Sequence, residues 1–72
     1  GTTGLQALRN LRGKAFDVAF LSQMIAHHEA AVDMAKAALQ TATKPETKRE
    51  AQKVIDAQNK EIAQMTQWLN QW

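Results

Sequence analysis

A methionine and two adjacent histidines lie close together in the first half of this chain, and their side chains suit soft metal ions. Met24 precedes His27 by three residues and His28 by four, and residues at these spacings lie on one side of an α-helix. Thioether sulfur and imidazole nitrogen bind Cu(I) and Ag(I) well, Cu(II) and Zn(II) less well, and Mg²⁺ and Ca²⁺ poorly. The spacing therefore raises the hypothesis of a copper or silver site, with Met34 further along the same helix.

The two histidines are not equivalent candidates, because adjacent side chains on a helix point about 100° apart. We expect at most one of them to be a primary ligand. A histidine on an apolar face is also common without any metal, as a core residue hydrogen-bonded to a carboxylate. Asp17 or Glu61 is the candidate partner in that case, and either would equally orient a ligating ring through its second nitrogen. Both interpretations stay open at the level of the sequence.

A second group of unusual residues lies near the C-terminus. Gln58 interrupts an apolar stripe, Glu61 lies at its margin, and Met65 follows one turn later. If two helices pack in opposite directions, their middles face each other, and these three residues would then approach Met24 and the histidines.

Three predicted helical segments position these residues. Glycines at positions 1, 4 and 13 and the single proline, Pro45, divide the chain. Residues 5–12 predict a short helix that Gly13 ends or bends, residues 15–40 a long helix, and residues from 45 to near the end another. Thr43 and Glu46 fit the capping-box pattern at the start of the last helix. The short connection predicts an antiparallel hairpin.

Each long segment carries an apolar stripe at helical spacing. The stripe of the second segment consists of Phe20, Met24, His27, Ala31, Met34 and Ala38, widened by Leu21, His28, Ala35 and Leu39. The stripe of the third consists of Ala51, Val54, Ile55, Gln58, Ile62, Met65, Leu69 and Trp72, with Glu61 and Trp68 at one edge. We expect Trp68 and Trp72 to pack at the open end of the hairpin, or to contact another helix or subunit.

Length and composition indicate one small helical domain over residues 1–72. No cysteine is present, so neither a disulfide nor a thiolate ligand is available, and so short a chain has a marginal core. We therefore expect oligomerisation, or a longer parent chain of which residues 1–4 form a trimmed boundary. The net charge of +2 is interspersed along the helices, which argues against nucleic acid, and no apolar run approaches the roughly 20 residues of a membrane span.

Enzymatic motifs are missing from the sequence. The Glu-x-x-His pairs of di-iron bundles and the His-Glu-x-x-His zinc motif do not occur. Ser22 falls on the polar side of the second segment, away from both histidines, so a serine nucleophile is not supported. We expect a binding protein and no enzyme.

Residues 17–35, DVAFLSQMIAHHEAAVDMA, resemble the hallmark stretch of domain-of-unknown-function family 305 (DUF305), which typically reads D-x-x-F-L-x-x-M-I-P-H-H-x-x-A-[IV]-x-M-A. The spacing of Ile55, Gln58, Glu61, Met65 and Trp68 is similar to the closing helix of that family. Ala26 departs from the pattern, because the family usually has proline there, and we expect a straighter helix.

This resemblance implies a ferritin-like helical bundle and an extracytoplasmic, periplasmic location, with copper-binding CopM-type proteins among the relatives. It implies copper, as Cu(I), or silver as the bound metal and a role in metal buffering or tolerance. The implied candidate ligands are Met24, His27, His28, Met34 and Met65, and the implied supporting residues are Asp17, Gln58 and Glu61. The fold class predicted is all-α, an antiparallel hairpin with a short N-terminal helix that forms a half-bundle completed by homodimerisation. The alternative function is a helical interaction module that binds no metal, with His and Met in its core.

Overall fold

The computed structural model describes residues 4–72, which form three α-helices joined by short connections. Helix α1 spans Gly4–Arg9, α2 spans Gly13–Thr41, and α3 spans Pro45–Gln71. These residues contain no β-strand, and the all-α prediction is confirmed. The trimmed boundary predicted at residues 1–4 lies, apart from Gly4, outside the described residues.

Helix α1 ends earlier than predicted, at Arg9 and not at residue 12. The Arg12 guanidinium donates to the carbonyl oxygens of Arg9 (2.9 Å) and Leu11 (2.7 Å), satisfying groups that a helix end leaves unpaired. Gly13 is the first residue of α2 and has a positive φ of 59°. This left-handed conformation, which glycine adopts at little cost, turns the chain from α1 into α2.

The start of α3 is set by its proline and not by a capping box, so the predicted capping pair of Thr43 and Glu46 is wrong. The N-cap residue is Lys44, whose side chain makes no cap hydrogen bond. Lys44 is extended (φ −81°, ψ 130°), because the ring of Pro45 disfavours helical geometry in the residue before it. Glu46 lies in the first turn of α3, where a negative charge interacts favourably with the helix dipole.

Helices α2 and α3 pack along each other in opposite directions. Near the start of α2, the Lys14 ammonium donates to the carbonyl oxygen of Trp72. Further along α2, the buried core contains Val32 and Ala35 from α2 with Ala51 and Ile55 from α3. Alanine on both sides allows the two backbones to approach closely. The partly buried side chains around this core are Ala38, Leu39, Val54 and Ile62.

The buried face of α3 lies where the sequence predicts it, with Ala51, Ile55 and Met65 buried. The buried face of α2 is rotated from the predicted stripe. Its buried residues are Leu21, Val32 and Ala35, of which Val32 was not part of that stripe. Three predicted stripe residues, Phe20, His27 and Met34, are exposed. Val32 belongs to the core cluster with Ala51 and Ile55 of α3, so its side of α2 faces α3.

The molecule is thin, with principal extents of 45 × 30 × 13 Å. The smallest of these is close to the diameter of a single helix with its side chains, so the helices lie in one layer. Within residues 4–72, none of the helices combines the length and the apolar character needed to cross a membrane.

Candidate metal-binding groove

A groove of about 320 Å³ lies between α2 and α3. It is in the half of the helix pair where the end of α3 is close to the start of α2. Helix α2 contributes Phe20, Leu21, Met24 and His28 to its lining, and helix α3 contributes Glu61, Gln64, Met65 and Trp68. Most of this lining is apolar. Its potential metal donors are two thioethers, one imidazole, one carboxylate and the side-chain amide oxygen of Gln64.

Helical periodicity explains why these residues converge. Met24 and His28 are four residues apart on α2, as are Glu61 and Met65 on α3, so each pair lies on one side of its helix. Because the two helices run in opposite directions, the stretch from 24 to 28 lies opposite the stretch from 61 to 65. Contact between His28 and Glu61 fixes this register.

His28 is held by hydrogen bonds at both ring nitrogens. Its Nδ1 lies 2.7 Å from the carbonyl oxygen of Met24. A carbonyl can only accept, so Nδ1 carries the hydrogen and donates it. The other nitrogen, Nε2, contacts a carboxylate oxygen of Glu61. The contact between Nε2 and the carboxylate requires a proton between these two acceptors, and an ion that takes the place of this proton can bind Nε2, with the ring orientation already fixed by the backbone of its own helix.

The two partners of this contact differ in how much of each side chain is exposed to solvent. The His28 side chain is 14% exposed, whereas that of Glu61 is 58% exposed. The imidazole is therefore embedded between the helices, while the carboxylate approaches it from the solvent side. Glu61 can move away from Nε2 into water without opening the helix packing.

The three methionines of the chain have different surroundings. Met65 is only 7% exposed and Met24 is partly buried, and both line the groove. Met34 is 70% exposed and lies outside the groove lining. The structure thus brings together two of the three candidate thioether ligands.

The remaining candidate residues lie apart from this set. His27 and Asp17 are exposed on α2 and do not line the groove, so the histidine–carboxylate partner that the sequence left open is Glu61. Gln58 lies one turn from Glu61 on α3, and its Oε1 is buried without a hydrogen-bond partner among the described residues. The ligand assignments of His27 and Met34 stay predictions.

Two aromatic residues complete the groove, and the sequence did not indicate their place in it. Phe20 lies one turn before Met24, and Trp68 lies one turn after Met65. Their position could have been predicted from spacing, because Phe20 is four residues before Met24 and Trp68 is three residues after Met65. The sequence instead predicts Phe20 in the apolar stripe of the second segment, and Trp68 either at the open end of the hairpin or in contact with another helix or subunit.

The donor set of the groove fits a soft ion better than a hard one. In residues 4–72, no three His, Asp or Glu side chains converge on a common point where they could hold a metal ion. An ion in the groove would therefore depend on the sulfurs of Met24 and Met65. Neutral thioethers and an imidazole favour Cu(I) and Ag(I) and discriminate against Mg²⁺ and Ca²⁺.

A family model described as a domain of unknown function (DUF305) matches residues 1–69, which include α1, α2, all but the last two residues of α3 and every residue of the groove. The chain belongs to the DUF305 family. No curated protein and no solved structure shows significant similarity to the chain.

In this DUF305 chain, the helix that carries the resemblance is continuous where the family usually has proline. Ala26 lies within α2, which runs unbroken from Gly13 to Thr41. With alanine there the backbone amide remains available for the helix. The hydrogen bond between the carbonyl of Met24 and His28 is part of this regular stretch, since the two residues are one turn apart.

Proposed function

We propose that this DUF305 protein binds one soft monovalent ion, Cu(I) or Ag(I), in the groove between α2 and α3. The ligands in this proposal are the thioethers of Met24 and Met65 and the Nε2 of His28. The observation that carries it is the convergence of two thioethers and one oriented imidazole in a single groove. No other part of residues 4–72 combines these donor types, because the chain has only two histidines and His27 is exposed.

Each residue has a distinct role in this proposal. Thioethers bind without losing a proton, so Met24 and Met65 supply affinity that acid does not remove. His28 supplies the harder nitrogen donor, and its hydrogen bond to the Met24 carbonyl presets the ring. The carboxylate of Glu61 offsets the positive charge of the ion from the solvent side.

The biological role proposed is metal buffering or tolerance outside the cytoplasm, by a binding protein that is not an enzyme. This role rests on the resemblance to copper-binding members of the family. We further propose that the antiparallel hairpin is a ferritin-like half-bundle completed by a second copy. The single-layer thickness of 13 Å supports this, because one face of a helix layer is left without packing.

A helical interaction module is the second candidate function, and the exposed aromatic residues favour it. Phe20, Trp68 and Trp72 are all exposed large apolar residues in the half of the hairpin that contains the groove. Aromatic side chains are enriched where protein surfaces meet. In this case the groove would accept an apolar side chain of a partner, and Met24 and Met65 would provide adaptable packing.

Thermal melting of the metal-stripped protein with and without Ag(I) tests the proposed function. Ag(I) is a redox-inert substitute for Cu(I). Free Ag(I) at about a hundredfold the dissociation constant adds about 2.7 kcal/mol to the folded state, which raises the melting temperature of a domain of this size by about 10 °C or more. The double variant Met24→Leu/His28→Gln should lose this rise and keep the fold, since both replacements are similar in size.

The matched control is the double variant His27→Gln/Met34→Leu, which removes the same two residue types from exposed positions outside the groove. It should keep the full rise with Ag(I). Loss of the rise in the control alone would place the ligands on the exposed side of α2 and contradict the groove. A melting temperature that depends on protein concentration but not on Ag(I) would favour the interaction module.

A further inference from the structure

Trp68 lines the groove and also exposes much of its surface to solvent. It lies one turn from Met65 and two turns from Glu61 on α3, and lines the groove with Met24 and His28 on the opposite helix. Nevertheless it is an exposed large hydrophobic residue, so much of its indole surface is not covered by the protein. An exposed indole beside two sulfurs and an imidazole is available to contact an ion or molecule in the groove, whereas a buried core residue is not.

A carboxylate offsets the charge of an ion in the groove at one end of the groove only. Two thioethers and a neutral imidazole carry no charge, and Glu61, the only charged residue in the lining, contacts His28 at one end. The face of an indole ring carries partial negative charge and attracts cations, more strongly than the ring of tyrosine or phenylalanine. A poorly hydrated monovalent ion gains most from such a face, because it loses little hydration on contact.

The other aromatic residue of the groove is less suited to this role. The ring of Phe20 stacks on that of Phe16, with centroids 5.8 Å apart and planes inclined by 12°. One of its faces is therefore occupied by another ring, and phenylalanine is also the weaker cation–π partner. Trp72 is exposed too, but it does not line the groove.

We propose that Trp68 is a direct contact of the bound ion, its indole face closing the groove over the ion by a cation–π interaction. This inference rests on the proposed function and adds a specificity-determining residue to it. The indole excludes water from the solvent side and favours soft monovalent ions over Mg²⁺ and Ca²⁺, which keep their hydration shells.

Single-tryptophan variants test this contact through fluorescence. Trp72→Phe leaves Trp68 as the only tryptophan, since the chain has two, and Trp68→Phe leaves Trp72. A heavy ion in contact with an indole quenches its emission. Titration with Ag(I) should quench Trp72→Phe in a saturable way with one equivalent, and should leave the emission of Trp68→Phe nearly unchanged.

The affinity for Ag(I) provides the second measurement. Trp68→Leu keeps an apolar side chain but removes the π face, and should weaken binding by about two- to fivefold, as expected for a partly exposed cation–π contact. Trp72→Leu is the matched control and should bind like the unmodified protein. Circular dichroism of the metal-free variants checks that both remain helical.

The outcomes separate this inference from the function on which it rests. Quenching of Trp68 together with weaker binding by Trp68→Leu supports the contact. Normal Ag(I) binding with unquenched Trp68 and unchanged affinity in Trp68→Leu overturns the contact and leaves the metal site standing. Absence of Ag(I) binding to the unmodified protein overturns both.

Discussion

At the scale of single residues, His28 has one hydrogen bond that fixes it and one that can be exchanged. The bond from Nδ1 to the Met24 carbonyl joins two residues of one helix turn and persists as long as α2 is helical. The contact of Nε2 with Glu61 joins two helices through a carboxylate that is 58% exposed. Only the second contact needs to change for the groove to accept an ion.

The Glu61 contact should contribute little to the stability of the metal-free protein. Ion pairs with an exposed partner are screened by water and contribute at most about 1 kcal/mol. Glu61→Gln should therefore lower the free energy of unfolding in urea by no more than this amount. Glu46→Gln is the matched control, because it removes an ion pair in which both side chains are exposed. The Oε1 of Glu46 lies 3.7 Å from the Nη2 of Arg49. A loss above about 3 kcal/mol for Glu61→Gln alone would indicate a buried pair and contradict the exchangeable role.

The residue types of the groove could be predicted from the sequence, but not which copy of each type would line it. Two histidines about 100° apart cannot be ranked until the rotation of α2 is known. That rotation also decides between Met24 and Met34. Glu61 could be named as a partner because it lies on the other helix at the right register, yet Asp17 was an equal candidate until α2 turned it to solvent.

At the scale of the elements, the junction between α1 and α2 depends on one backbone conformation. Gly13 has a φ of 59°, and a side chain added there would meet no atom within 4 Å. Any effect of a substitution therefore comes from the backbone. Gly13→Ala should lower the free energy of unfolding by about 1–2 kcal/mol, the cost of left-handed geometry for an ordinary residue.

Gly13→Asn is the matched control, because asparagine tolerates the left-handed region better than alanine. Its free energy of unfolding in urea should lie between that of the unmodified protein and that of Gly13→Ala. Equal stability of all three proteins would show that the junction does not hold this conformation in solution.

Helix positions were predictable to within a few residues, because Gly13 and Pro45 mark the junctions. The face of α3 was also predictable, since its apolar and charged residues are well separated around the helix. The face of α2 was not, because alanines occupy several sides of this helix and give little preference. Val32, which the predicted stripe left out, is buried together with Leu21 and Ala35, and this choice of face is visible only once α2 packs against α3.

At the scale of the whole molecule, the single layer of helices places the groove on an open surface. The core of Val32, Ala35, Ala51 and Ile55 lies towards the connection between α2 and α3, and the groove lies towards the other end of these two helices. Substitutions in the groove are therefore expected to change ion binding with little effect on the main core. Family membership over residues 1–69 was predictable from two motifs, whereas the groove required the packing of both helices.

The central claim, that Met24 and Met65 bind the ion and Met34 does not, is tested most directly by NMR of the three methionine methyl groups. The protein is labelled with ¹³C at these methyls, each resonance is assigned with a Met→Leu variant, and Ag(I) is added to one equivalent. We predict that the Met24 and Met65 resonances shift together and stop at one equivalent, while that of Met34 stays in place. A shift of Met34 without the other two, or no shift of any methionine, would contradict the proposed site.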